Sequence, residues 1–177
     1  MISSDKSREG IPSGKKQDLK EISSEPIDKP NFLDKLLATG FGGGLSPVAP
    51  GTIGSVIGLI VYFIPGFEKI YVIFPAIIIF FLWGSYAAGK MEKVYGHDPS
   101  RVVIDEIVGI WISLVLVPKK LFLIAIGFLI FRMLDIFKPF PSNYFDKKTG
   151  GFAIMLDDAI AGIYANILVQ AYLYFLK

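Results

Sequence analysis

The chain has 177 residues, 53% of them hydrophobic and 19% charged, with a formal net charge of +2 and a mean hydropathy of +0.54. That length suits one domain, the composition is too apolar for an average soluble domain, and the charge is too small to argue for a nucleic-acid partner. The absence of cysteine excludes disulfides, thiolate metal sites and cysteine nucleophiles together, and leaves the compartment unconstrained by redox.

Residues 1–30, MISSDKSREGIPSGKKQDLKEISSEPIDKP, contain no apolar run and many Ser, Gly, Pro and charged residues. Such a segment cannot bury enough surface to offset its ordering entropy, so a disordered polar tail is predicted, without the apolar core of a signal peptide. Residues 31–177 read as one helical catalytic domain: an all-α, compact multi-helix bundle embedded in a membrane. Apolar runs fall at about 53–65, 70–89, 102–118, 121–137 and 152–176. A spanning helix needs roughly 17–25 residues, which 70–89 and 152–176 satisfy and 102–118 and 121–137 meet only at the border, while the first run is short and reads as re-entrant or buried in the bundle. Strands are not expected, because the runs lack alternation and an open sheet edge cannot sit in lipid.

If every run crosses, one end of the bundle collects most of the unusual residues. These are the Gly-rich stretch TGFGGGLSPVAPGTIGS (39–55), the linker around His97, the pair Asp105–Glu106, the cluster RMLDIFKPFP (132–141) and the pair Asp157–Asp158. Asp98-Pro99 reads as a helix N-cap followed by Pro at the first helical position, which puts Asp105 about two turns in. Pro139 and Pro141 stop the helix carrying Arg132, Asp135 and Lys138, which share one stripe at i, i+3, i+6. More Lys and Arg accompany this end than the other, so it is expected to face the cytoplasm, in a multi-pass protein of the cytoplasmic (inner) membrane. DEIVGI (105–110) and DAIAGI (158–163) share Asp-x-x-x-Gly-Ile, a weak echo that points Asp105 and Asp158 into a helix–helix seam with a close-approach glycine.

Asp105, Glu106, Asp135, Asp157 and Asp158 are the strongest chemical signal. Three acidic clusters on one face favour a hard divalent cation, such as Mg²⁺, over a solvated or salt-bridged interface. The Arg132–Lys138 stripe suits either phosphate binding or a plain interfacial salt bridge. Backbone N–H groups of the Gly-rich stretch, with Thr39, Gly42, Ser46 and Thr52, can cradle an anion, although on physics alone a flexible re-entrant turn between helices explains the stretch better. His97, the sole histidine, reads as a surface residue. A rival class is a small helical membrane carrier passing a cation or proton through its carboxylates.

The stretches LLATGFGGGLSPVAPGTIGS, VVIDEIVGIWISL, FRMLDIFKPFPSNYFD and GGFAIMLDDAIAGIYANI, spread over about 33–170, resemble phosphatidylglycerophosphatase A, a bacterial family of membrane lipid phosphatases. The resemblance implies Mg²⁺-dependent removal of the terminal phosphate of a phospholipid substrate, phosphatidylglycerophosphate, in phospholipid biosynthesis. It carries acidic catalytic and metal-ligating roles onto Asp105, Glu106, Asp135, Asp157 and Asp158, and phosphate-binding roles onto Arg132 and Lys138. No motif speaks to oligomeric state.

Overall fold

The structure, a computed structural model, describes residues 29–175; the disorder expected of residues 1–30 falls, but for the last two of these, outside the described residues. Seven α-helices and one 3₁₀ turn make up the described chain, with no strand among them: α1 (Phe32–Ala38), the 3₁₀ turn (Gly43–Leu45), α2 (Pro50–Tyr62), α3 (Ile70–Tyr95), α4 (Ile104–Ser113), α5 (Leu121–Phe137), α6 (Ser142–Phe145) and α7 (Gly151–Phe175). The all-helical reading of the sequence is borne out.

Local chemistry accounts for the starts. Asn31 caps α1 reciprocally, its side chain accepting from the Asp34 N–H at 2.8 Å while the Asp34 carboxylate accepts from the Asn31 N–H at 3.1 Å. Pro50 occupies the first position of α2, where its missing N–H costs nothing. A buried ion pair between Lys90 and Asp34, 3.2 Å apart, holds α1 against the C-terminal end of α3.

The centre of the bundle is α4, packed against α2, α3, α5 and above all α7. Its indole, Trp111, is 2% exposed, lies against Phe67 and Phe80, and donates to the Gly58 carbonyl at 2.9 Å. The α4–α7 crossing is close because it is made by Gly109 and Gly162: a Cβ on Gly162 would lie 2.5 Å from the Gly109 carbonyl oxygen. The seam expected from the Asp-x-x-x-Gly-Ile echo is thus a close, glycine-mediated helix pair.

Three expectations need correction. The run 102–118 does not form one crossing helix: α4 covers ten residues, about 15 Å of rise, against the roughly 30 Å of a bilayer core. It stops inside apolar sequence because α7 supplies other donors, Asn166 bonding the carbonyls of Ser113 (3.1 Å) and Val115 (2.8 Å) and Gln170 that of Val115 (3.2 Å). Asp98 is no helix cap, since its φ is +41° and α4 begins at Ile104, with Asp105 and Glu106 in the first turn. The intervening Val103 N–H is drawn away to the Ala38 carbonyl (2.8 Å), which keeps 99–103 non-helical. Lys138 leaves the stripe of Arg132 and Asp135: α5 ends at Phe137, and Lys138 takes a left-handed conformation (φ +45°) before Pro139.

By length and hydropathy, α3 and α7 are the described helices able to cross a membrane, and α2 joins them only as a shorter apolar helix.

Candidate active site

Five acids distant in sequence meet at one end of the bundle. The α4 start supplies Asp105 and Glu106, the second turn of α7 supplies Asp157 and Asp158, and the last turn of α5 supplies Asp135. Together with Asp98 and Asp146 they line a cavity of about 90 Å³ in which Lys138 is the sole lining cation. Asp105, Asp135, Asp157 and Asp158 are buried.

The acids fall into two groups by partner. Asp135 binds the Arg132 guanidinium, and Asp157 accepts from both Lys138 and the Ser142 hydroxyl. Asp105, Glu106 and Asp158 each bring a carboxylate oxygen within 4.8 Å of the other two. Each of these three also has a buried oxygen with no hydrogen-bond partner: Oδ1 of Asp105, Oε2 of Glu106 and Oδ2 of Asp158. Buried, unpaired carboxylate oxygens are costly, and three in one place repel one another unless a cation joins them.

The cations around the cluster are fixed by neighbours. Arg132 Nη1 reaches Asp135 and, at 3.5 Å, the Ser55 hydroxyl, while its Nε is buried without a partner. Lys138 sits between Asp146 and Asp157; burial works against its charge, but hydrogen bonds to those two carboxylates outweigh it and raise its pKa above the ordinary lysine value. Gly51, in the first turn of α2, abuts the Glu106 carboxylate, and a Cβ there would overlap Glu106 Oε1 and approach Arg132 Nη2 to 3.2 Å.

The Gly-rich stretch therefore reaches the acids through Gly51 and Ser55, in α2, and not through its earlier residues. Thr39 and Gly42 line a separate apolar groove. The Thr39 hydroxyl donates to the Leu36 carbonyl and accepts from the Gly42 N–H, closing the turn after α1. The Ser46 hydroxyl bonds the backbone of Val48, and Thr52 has no side-chain hydrogen bond among the described residues.

His97 bridges two loops at the rim: Nδ1 lies 2.9 Å from Glu92, and Nε2 lies 3.0 Å from the Asp146 carbonyl. The Glu92 hydrogen bond raises its pKa above the usual 6.5. Glu92 also accepts from the Gly150 N–H at 2.6 Å, so one carboxylate fastens the loops on either side of the cavity. Sequence reasoning gave Ser142 and Asp146 no role, and Ser55 none beyond its place in the Gly-rich stretch. Asp146 and Ser142 both stand inside a stretch that carried the family resemblance, and Ser142 lies on a helix of four residues, too short for periodicity to reveal a face.

The phosphatidylglycerophosphatase A family profile matches residues 36–173. A protein of Haemophilus influenzae named phosphatidylglycerophosphatase A is 43% identical over 162 residues, covering 86% of this chain and 98% of its own length. Its namesake in Escherichia coli is 39% identical over 131 residues, 72% of this chain and 76% of the relative. A Bacteroides thetaiotaomicron protein named, provisionally, as a phosphatidylinositol-3-phosphatase is 41% identical over 151 residues, 81% of this chain and 95% of the relative. No solved structure matches the chain significantly.

Proposed function

The chain belongs to the phosphatidylglycerophosphatase A family, and from that premise we propose that it hydrolyses the terminal phosphate monoester of phosphatidylglycerophosphate, releasing phosphatidylglycerol and inorganic phosphate. The observation that carries the chemistry is the trio Asp105, Glu106 and Asp158, whose unpartnered buried oxygens converge within 4.8 Å.

An all-oxygen donor set of buried carboxylates suits a hard divalent cation, and Mg²⁺ fits the orphaned oxygens of Asp105, Glu106 and Asp158, which would hold it. When bound there, such a cation would supply charge neutralisation for the phosphate and would acidify water. The protein's own groups do the rest. Arg132, oriented by Asp135 and Ser55, offers donors to the phosphate oxygens. Lys138, kept protonated by Asp146 and Asp157, acts as a fixed positive charge and not as a proton donor. A carboxylate of the trio accepts the proton of the attacking water; the water oxygen bonds to phosphorus, the phosphorus–oxygen bond to glycerol breaks, and the glycerol oxygen takes up the proton that the carboxylate accepted. Asp135 and Asp157, with their oxygens occupied by cations and by Ser142, act by positioning those cations.

A membrane setting suits the surface of α3, where Ile78, Ile79, Leu82 and Trp83 are exposed. We place the cavity at the cytoplasmic face, since Lys93, Arg101, Lys147 and Lys148 accompany it. A cation-carrier reading is less well supported, because the close Gly109–Gly162 crossing lies directly below the acids, and Phe131 packs on Gly109 from the other side.

Phosphate release from phosphatidylglycerophosphate by the detergent-purified protein, with Mg²⁺ and with chelator, tests the reading. Release that needs both Mg²⁺ and Asp158 is expected. A folded protein that releases none from this lipid, yet releases phosphate from phosphatidylinositol 3-phosphate, would move the chain to the substrate named for its Bacteroides relative.

A further inference from the structure

An apolar groove of about 240 Å³ runs between α1, the 3₁₀ turn and the end of α3, lined by Phe41, Leu45 and Met91. Two exposed cations, Lys35 and Arg101, flank it. Neither has a carboxylate partner among the described residues, and Arg101 is held over the Tyr95 ring at 5.2 Å. An apolar trough edged by unpaired cations complements an amphiphilic anion, not a neutral chain or a second cationic surface. The groove is smaller than a pocket that encloses a whole drug-sized ligand, so it suits one segment of a lipid.

Its position relative to the acids is set by three consecutive residues. Ser100 and Val102 line the acidic cavity, while Arg101 between them lines the groove. The segment 100–102 is therefore the wall between the two, with consecutive Cα atoms about 3.8 Å apart. A molecule that places one phosphate against the acids and continues over this wall meets Arg101 next.

We propose that Arg101 and Lys35, with the apolar groove behind them, form the subsite for the phosphodiester of the lipid substrate and the first part of an acyl chain. This inference rests on the phosphatase reading of the acidic cavity and deepens it. The subsite makes the protein selective for a monoester carried on a diester-linked alcohol over a monoester attached directly to diacylglycerol. Phosphatidylglycerophosphate and phosphatidylinositol 3-phosphate share that layout and differ in the alcohol, which fits two relatives named for substrates that differ there too.

The test compares kcat/KM for phosphatidylglycerophosphate and for phosphatidic acid, which has the monoester and both acyl chains but no diester, in the same mixed micelles with Mg²⁺. The wild type should favour phosphatidylglycerophosphate, and Arg101→Ala should lower that preference about ten- to a hundredfold, chiefly through KM, as expected for the loss of a charge-assisted contact. Lys35→Ala should lower it less, and Arg101→Lys should restore part of it. A preference left intact in Arg101→Ala overturns the proposal, as does an equal fall on both lipids at an unchanged unfolding temperature. A wild type that hydrolyses both lipids equally well also overturns it while leaving the phosphatase reading standing. Release from neither lipid by the wild type instead overturns the phosphatase reading, before any variant is made.

Discussion

The helices α3 and α7 have 26 and 25 residues, and each contains a stretch apolar enough for a bilayer, yet 17% of that stretch is buried in α3 and 56% in α7. One turns its side chains outward over much of its length; the other is wrapped by α3, α4 and α5 and carries two acids among its buried residues. Hydropathy treats them alike because it averages composition without regard to neighbours. What separates them is where small residues fall: Gly162, Ala161 and Ala165 of α7 are buried and admit close neighbours, whereas the buried Gly84, Ala87 and Ala88 of α3 lie in its C-terminal half and its middle is filled with exposed Ile, Leu and aromatic side chains. Chemistry follows packing, since acids two turns into an apolar helix are tolerable where other helices bring cations and further acids to meet them.

The contrast can be broken at the acids first. Asp158→Asn should lower phosphate release about a hundred- to ten-thousandfold, the range for removing a group that acts on the reacting atoms, while Leu82→Ala on the exposed face of α3 leaves the rate near that of the wild type. Parallel assays of detergent-purified protein decide this.

Packing comes next. Gly162→Leu forces a side chain against the Gly109 carbonyl oxygen and should cost about 3 kcal/mol, read as a lower midpoint in thermal or denaturant unfolding in detergent, whereas Leu82→Ala should stay within about 0.5 kcal/mol. Equal losses at the two sites would mean that α7 is no more central than α3.

A smaller effect is expected at Asn166. Replacing it by Leu leaves the Ser113 and Val115 carbonyls short of a donor and should cost roughly 1–2 kcal/mol by the same unfolding measurement, with a similar but lesser change for Gln170→Leu.

The smallest effect lies where the C-terminal end of α3 meets the loop leading into α7. The Glu92 hydrogen bond raises the pKa of His97 in the folded state, so its contribution to stability is complete below the unfolded value near 6.5 and is lost as pH rises through the higher folded value. His97→Asn should therefore unfold at a slightly lower temperature than the wild type in mildly acidic buffer and at the same temperature in alkaline buffer. The difference should be small, because the ring is 47% exposed.

Much of the site was legible because acids are conspicuous in apolar sequence. Asp105, Glu106, Asp135, Asp157 and Asp158 stand out against their surroundings, and all five line one cavity. Their division of labour was not legible: the sequence treats the five alike, while the structure pairs Asp135 and Asp157 with cations and leaves Asp105, Glu106 and Asp158 with orphaned oxygens. Nor was the contribution of the Gly-rich stretch, which comes through Gly51 and Ser55 once α2 is docked on α4.

By itself, the sequence determined the helical class, the approximate position of each apolar run and the membership of the family, because these depend on side-chain periodicity, length and local motifs. Only the tertiary structure decided that α4 ends at Ser113, that Lys138 swings off its helix to Asp146 and Asp157, and that Arg101 faces a groove while its neighbours face the acids. Those outcomes depend on donors, acceptors and charges supplied by residues far along the chain, such as Asn166 for Ser113, and a local pattern carries no record of which distant group will arrive.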